Sequence, residues 1–243
     1  EKLALTISLT RVMMLSPFVF ALSAVLTSVL NAHKRFLAAA LEKRGVKALG
    51  LSCDVTQADQ VEAVKDAVLK KFGRVDVLIN NSGRAWVAPP EEMPLDRWRQ
   101  IMELNATAPF ICSQIFGREM IKQKKGKIIN IASIAGLIGR NPKAYSSVVY
   151  STSKGALVQM TRDLAIKWAQ YNIHVNCICP GFFVTPINQK LYEKGAGQIL
   201  QEIPLGRTGG ENDLKGIAVL LASDASDFIT GAIIPVDGGT IAW

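Results

Sequence analysis

A single doubly wound α/β domain with a parallel sheet is the fold that this 243-residue chain predicts. Three observations predict it. From about residue 46 onward, short runs rich in Val, Ile and Leu alternate with longer stretches of helical periodicity, the order that builds a parallel sheet with helices on both faces. Residues with chemical potential follow directly after three of those runs, at the rim where ligands of open parallel sheets gather. The length suits one large core.

The predicted strands are residues 46–53, 75–80, 127–132, 173–179 and 232–236. Between the first two, Thr56 is placed to cap a helix in which Val61, Val64, Val68 and Leu69 form one apolar stripe, and Gly73 supplies the stop. This is a crossover helix. Another helix, beginning near Ser153, carries Leu157, Met160, Leu164 and Trp168 at helical spacing and gives way to the fourth strand. No repeat, low-complexity tract or linker interrupts the pattern.

The chain holds 28 Lys plus Arg against 20 Asp plus Glu, a formal charge of +8. Its densest basic stretch, residues 122–127, ends an apparent helix, where cations oppose the backbone dipole. That reading displaces a nucleic-acid footprint, and the net positive field suits a small anionic ligand instead. Cys53, Cys112, Cys177 and Cys179 contain no CxxC pair, and His33 and His174 stand far apart, so neither a metal site nor a disulfide framework is legible. Cys177 and Cys179 should share one strand face as small buried hydrophobes. A reducing, cytoplasmic setting fits.

Residues 12–30 (VMMLSPFVFALSAVLTSVL) carry no charge. Three readings compete for them. They are long enough for a membrane anchor, although Pro17 and several Ser and Thr interrupt the run. They can equally form the buried strand and helix of an unusual first βα unit. The preferred reading is an altered reading frame, with ordinary sequence resuming at residues 36–45 (FLAAALEKRG). Residues 1–45 are therefore set apart as an aberrant first unit or possible anchor, and residues 46–243 as the domain proper.

Tyr150 and Lys154 lie four positions apart, which puts them one turn apart on one helix face. A cation there favours tyrosinate, lowering a pKa that starts near 10 toward a range useful for proton transfer. Alone, such a pair reads as a solvated helix face. Its surroundings change that: YSTSKGAL at 150–157 follows IINIASIAG at 128–136 and precedes VNCICPGFFVTP at 175–186. NNSG at 80–83 and LNA at 104–106 lie upstream, and IIPVDGG at 233–239 closes the series. In this order the strings resemble the short-chain dehydrogenase/reductase family over most of the chain.

The resemblance implies a Rossmann-like domain and an NAD(P)-dependent interconversion of a secondary alcohol and a ketone. Tyr150 would be the acid/base, and Lys154 would lower the tyrosine pKa and hydrogen-bond the nicotinamide ribose. Ser133 would orient the substrate oxygen, and Asn105 would hold a water in the proton relay. Tyr145 lies nearby but has no lysine four residues later. Asp54 and Val55 match the pair beside the adenine; Asn81, Ser82 and Gly83 match the turn at the cofactor, with serine in the family's alanine position. Pro180, Gly181 and Thr185 match the nicotinamide segment. Plainer roles stand beside these: a cap for Asp54, turns for Ser133 and Pro180-Gly181, a helix-interior polar residue for Asn105.

One part departs from the family. Its members open with a strand and TGxxxGxG, whose glycines let backbone approach the pyrophosphate at a helix N-terminus. Residues 1–45 hold one glycine, Gly45. A noncatalytic binding or scaffold protein with impaired cofactor binding is therefore the alternative to an enzyme. Lys34 and Arg35 favour NADP over NAD. Trp86, Tyr145 and the mobile-looking residues 189–201 should shape the pocket for a small alcohol or ketone, and IASIAG with IPLGRTGG looks most like sugar-acid, polyol or 3-oxoacyl reductases. The resemblance also implies a homotetramer, with residues 153–170 and the PVDGG end at its interfaces, and no metal or nucleic-acid partner.

Overall fold

The computed structural model describes residues 47–139, 147–185, 189–210 and 212–242. The N-terminal apolar run, His33, Lys34, Arg35 and Tyr145 lie outside the described residues. Among the described residues no helix is long and apolar enough to cross a membrane.

Valine spacing makes the first helix. In α1 (Ala58–Phe72) Val61, Val64 and Val68 are buried, with Leu69 packed beside them; Asp59 in the first turn and Lys70 and Lys71 in the last complement the helix dipole. Gly73, at φ 80°, ends it by donating its N–H to the Leu69 carbonyl. The start differs from expectation. The cap position is Gln57, and Thr56 instead donates its N–H and hydroxyl to Asp54 Oδ1 at 3.0 and 2.8 Å, closing a turn ahead of the helix.

Four strands follow: β1 (Val77–Asn80), β2 (Gly126–Ile131), β3 (Ile173–Pro180) and β4 (Ile233–Val236), all parallel and in that spatial order. Period-two alternation assigns their faces. Leu78, Ile128 and Val175 stand in register and pack under α1, α3 (Ala108–Gln123) and α4 (Val148–Trp168). Val77, Ile129 and Ile178 point the other way, toward Leu221 and Ala222 of α6 (Lys215–Ala222). Helices on both faces satisfy the doubly wound expectation. A short α2 (Leu95–Met102), a π-turn (Glu103–Thr107) and α5 (Gln189–Gln201) complete the order.

Three further expectations are corrected. Residues 47–53 form no strand: an extended run needs a neighbour to complete a ladder, and among the described residues none pairs with it. Its alternation survives, since Leu49, Leu51 and Cys53 all pack against the α1 and α3 core. Helix α4 begins at Val148, ahead of Ser153, because Ser147 caps it by accepting the Tyr150 N–H. Residues 189–201 are helical, with Gly195 alone departing from helical angles at φ −138°.

Asparagines fasten the sheet to α4. Asn80 Nδ2 donates to Asn130 Oδ1 at 2.8 Å, and Asn130 Nδ2 donates to Thr161 Oγ1 at 2.9 Å. All three are buried, so each bond replaces one that water would otherwise supply.

Lys127 lies under the opposite face. Its ammonium, on a residue 4% exposed, donates to Asp227 Oδ1 at 2.6 Å, to the Ser223 carbonyl and to Ser226 Oγ. Removing the cation is tolerable, because Asp227 is half exposed and the Ser223 carbonyl also accepts from the Ser226 N–H and hydroxyl. Removing the anion strands a buried charge. Asp227→Ala is therefore expected to cost about 2 kcal/mol or more in urea unfolding, and Lys127→Met distinctly less; the reverse order would show that the ion pair itself carries the stability.

Candidate active site

The sheet's carboxyl rim gathers the predicted catalytic residues. Lys154 is 3% exposed, and its Nζ lies 5.7 Å from the Tyr150 ring centroid, across one turn of α4. One of its three donors goes to the Ile131 carbonyl at 2.8 Å, at the end of β2 and two residues ahead of Ser133. Ser133 caps the tight turn Ile134–Gly136 through its hydroxyl, which accepts the Ala135 N–H at 3.2 Å. That turn lies against α4 backbone to backbone: a Cβ on Gly136 would sit 2.6 Å from the Lys154 carbonyl carbon. Ser133 is thus held beside the lysine's turn of helix.

Asn105 ties this rim to the loop after β1. It is fully buried in the π-turn; its Oδ1 accepts the Arg84 N–H at 2.9 Å, and its Nδ2 donates to the Arg84 carbonyl at 2.8 Å and to Ser153 Oγ at 2.9 Å. Both amide hydrogens are committed. A relay water, the role implied for this residue, is left with carbonyl oxygens as its partners there.

Gly83 sits over the two. A Cβ at that position would lie 3.3 Å from both Asn105 Oδ1 and Lys154 Nζ, so a larger residue would have to push the amide or the ammonium aside by a few tenths of an ångström. Pro180 ends β3, and Gly181 donates its N–H to the Val236 carbonyl at 3.0 Å. A Cβ on Gly181 would stand 2.6 Å from Asp237 Cα. Thr185 is exposed farther along the same segment, while Asn81 is exposed and Ser82 partly buried ahead of Gly83.

Asp54 and Val55 divide. Val55 is 5% exposed and its side chain belongs to the core, so only its backbone remains to meet a ligand. Asp54 lines a groove of about 540 Å³ together with Thr56, Arg84, Trp86, Arg97 and Leu104. Trp86 and Arg97 form one wall of it, the guanidinium 4.5 Å from the ring centroid. The Trp86 carbonyl also accepts the Ser147 hydroxyl, which joins this wall to the start of the catalytic helix.

Burial decides the electrostatics. It pushes the Lys154 ammonium down to about 8, against a smaller opposing pull from Cys177 and Cys179 on the strand below. Those thiols lie 3.8 Å apart on one face of β3, as alternation requires, and all four cysteines are free. No cluster of metal-binding side chains occurs among the described residues.

A dinucleotide fits what is present at its two ends. Gly83 lays bare backbone against Lys154, Gly181 lets the chain after β3 pass close to Asp237, and the Asp54 groove, which would take the adenine end, opens beyond Arg84. Residues 1–46, where the family's phosphate-contacting loop would stand, lie outside the described residues.

A parallel sheet whose carboxyl rim carries serine, tyrosine, lysine and asparagine beside a glycine turn matches the arrangement implied for a nicotinamide-dependent oxidoreductase. The comparisons agree. A family model described as enoyl-(acyl carrier protein) reductase matches residues 22–240, beginning well ahead of residue 46, where the recognisable strings start. A 2-dehydro-3-deoxy-D-gluconate 5-dehydrogenase of Formosa agariphila is 37% identical over 83% of this chain and 76% of its own. An NAD-dependent glycerol dehydrogenase of Listeria innocua is 38% identical over 79% and 75%. The crystal structure of a gluconate 5-dehydrogenase from Burkholderia cenocepacia, in complex with NADP and tartrate, superposes with a TM-score of 0.81 at 34% identity, covering 86% of this chain and 81% of that one. The chain belongs to the short-chain dehydrogenase/reductase family and is an NAD(P)-dependent oxidoreductase.

The depressed lysine gives a pH signature. Below about pH 8 both folded and unfolded chains carry the ammonium, and the folded one bears its desolvation cost; between 8 and 10.5 the folded chain releases the proton first, and that cost is relieved. Measured against Lys154→Met, the unfolding free energy of the unmodified protein is expected to rise by about 3 kcal/mol from pH 7.5 to 10.5. A constant difference across that window in urea melts would mean that the lysine is not desolvated.

Proposed function

We propose that the chain catalyses reversible oxidation of a secondary alcohol to a ketone on a small polyhydroxylated acid or polyol, with Tyr150 as acid/base. The observation carrying this reading is the buried Lys154 ammonium one helical turn from Tyr150, fixed to β2 two residues from Ser133. A bound nicotinamide would supply or accept hydride at the substrate carbon. The Tyr150 phenol gives a proton to the carbonyl oxygen during reduction and takes it back during oxidation. Lys154, when charged, favours the phenolate, and Ser133 supplies a second hydrogen bond to the same oxygen. Asn105 holds the Gly83–Arg84 loop against α4. Gly83, Lys154, Gly181 and Thr185 would hold the nicotinamide nucleoside, and Asp54 the adenine end.

The substrate class is supported by the relatives acting on gluconate derivatives and glycerol. NADP is proposed over NAD on Lys34 and Arg35, with relatives named for each cofactor. A cytoplasmic site accords with four free thiols. A homotetramer would cover Phe110 and Ile166, exposed to 45% and 78% on α3 and α4, and the outer edge of β4. A monomer in sedimentation would end that part of the proposal.

Tyr150→Phe is expected to lower turnover by about 10²- to 10⁴-fold, with far-UV dichroism and melting temperature unchanged. The assay pairs NADPH and NADH with a panel of keto-sugar acids and small ketoses. Near-normal turnover in the variant would reject Tyr150 as the proton donor.

A further inference from the structure

Two hydroxyls on the buried side of α4, about 12 Å apart along its axis, fasten it to the rest of the fold. Thr161 Oγ1 donates to the Leu157 carbonyl at 2.8 Å and accepts from Asn130 in the middle of the sheet. Ser153 repeats the arrangement at the rim. Its Oγ donates to the Tyr150 carbonyl at 2.8 Å and accepts from Asn105 Nδ2 at 2.9 Å, and both serine and asparagine are fully buried.

A hydroxyl bonded to its own preceding turn is ordinary in helices, and the exposed Thr152 does the same with Val148. The acceptor side sets Ser153 apart. Asn105 is bonded through its remaining groups to both the N–H and the carbonyl of Arg84, so an unbroken path runs from the loop after β1 through Asn105 and Ser153 to the backbone of Tyr150. Lys154 is the next residue along, and its Nζ passes under Gly83 of that same loop.

We propose that Ser153 is a positioning residue for the reaction, its hydroxyl fixing the angle at which α4 presents Tyr150 and Lys154 to the Gly83–Arg84 loop. The proposal rests on the reading of Tyr150 as acid/base. Without the hydroxyl, α4 keeps its Ser147 cap, its packing on Gly136 and its Thr161 attachment, and its N-terminal end loses the bond to Asn105 that fixes its angle against the Gly83–Arg84 loop. One buried Asn105 N–H then loses its protein partner, which drives the amide and the Arg84 loop to rearrange. The groups facing Lys154 are the Ile131 carbonyl of β2, Cys177 and Cys179 of β3, and Tyr150 on its own helix, and a roll of α4 changes the lysine's distances to the strands.

The test titrates Tyr150 by NMR of protein labelled at the tyrosine ζ-carbon, alongside steady-state kinetics. Ser153→Ala is expected to move the Tyr150 midpoint by at least about half a pH unit and to lower kcat about tenfold, with the ketone KM within about twofold. Ser153→Thr, which retains the hydroxyl, should restore both. Thr161→Val should lower the melting temperature and leave the Tyr150 midpoint in place. If Ser153→Ala does not fold, Ser153→Cys, a weaker donor and acceptor, reads the same midpoint. A lowered melting temperature with midpoint and kcat unchanged in the position 153 variants would overturn the proposal. A moved midpoint in a protein whose unmodified form turns over no substrate would keep the positioning role and sink the catalytic reading.

Discussion

A buried amide whose hydrogens have nowhere to go but protein is the constraint on which this site depends. Asn105 is closed to solvent, so each of its polar atoms must find a partner inside the fold. Meeting that requirement places the loop after β1, the π-turn and α4 in one arrangement. The π-turn itself follows from the same demand: the widened turn carries Asn105 at a point where α2 runs into α3 without a break. Asn80 and Asn130 impose the same discipline deeper in the sheet, where apolar side chains would have packed as well but would not have selected one position of α4.

The same burial makes Lys154 useful. An exposed lysine would remain fully charged at neutral pH and contribute little field to its neighbour, because water screens it. Desolvation costs the folded chain stability and brings the ammonium within reach of losing its proton, so its charge responds to whatever is placed beside it. Gly83 brings the loop after β1 close against that ammonium. In the proposed mechanism, stability given up at Lys154 is thus tied to proton transfer at Tyr150, one turn away on the helix.

How much was legible in the sequence follows from the range of the forces involved. Apolar periodicity and stop signals act locally, so α1, Gly73 and the cores of the four strands read correctly, as did the shared face of Cys177 and Cys179. Helix geometry put Tyr150 and Lys154 on one face, and it was the resemblance of the surrounding strings to the family that singled the pair out. Ladder formation is not local, and residues 47–53 kept strand-like alternation without becoming a strand. Two glycines made residues 189–201 look mobile, although one departure from helical angles accommodates them. The bonding roles of Ser153, Thr161 and Asn130 were not legible, since a polar residue inside an apolar run shows its meaning only when its distant partner is known. Asn105 was found as a motif, but its bonds to Arg84 and Ser153 came from tertiary structure.

The odd first 45 residues bear differently on the two halves of the site. Every bond described above that holds Ser133, Tyr150, Lys154 and Asn105 runs among residues 83–154, within strands, loops and helices that match the family. The proton-transfer half is therefore assembled without requiring the glycine loop. The pyrophosphate half relies on backbone amides at a helix N-terminus, a feature supplied by sequence the chain does not show in its usual form. Affinity for the dinucleotide and competence at the tyrosine are separable properties of this fold, and a change in the first βα unit acts on the first while the geometry of the second is set elsewhere.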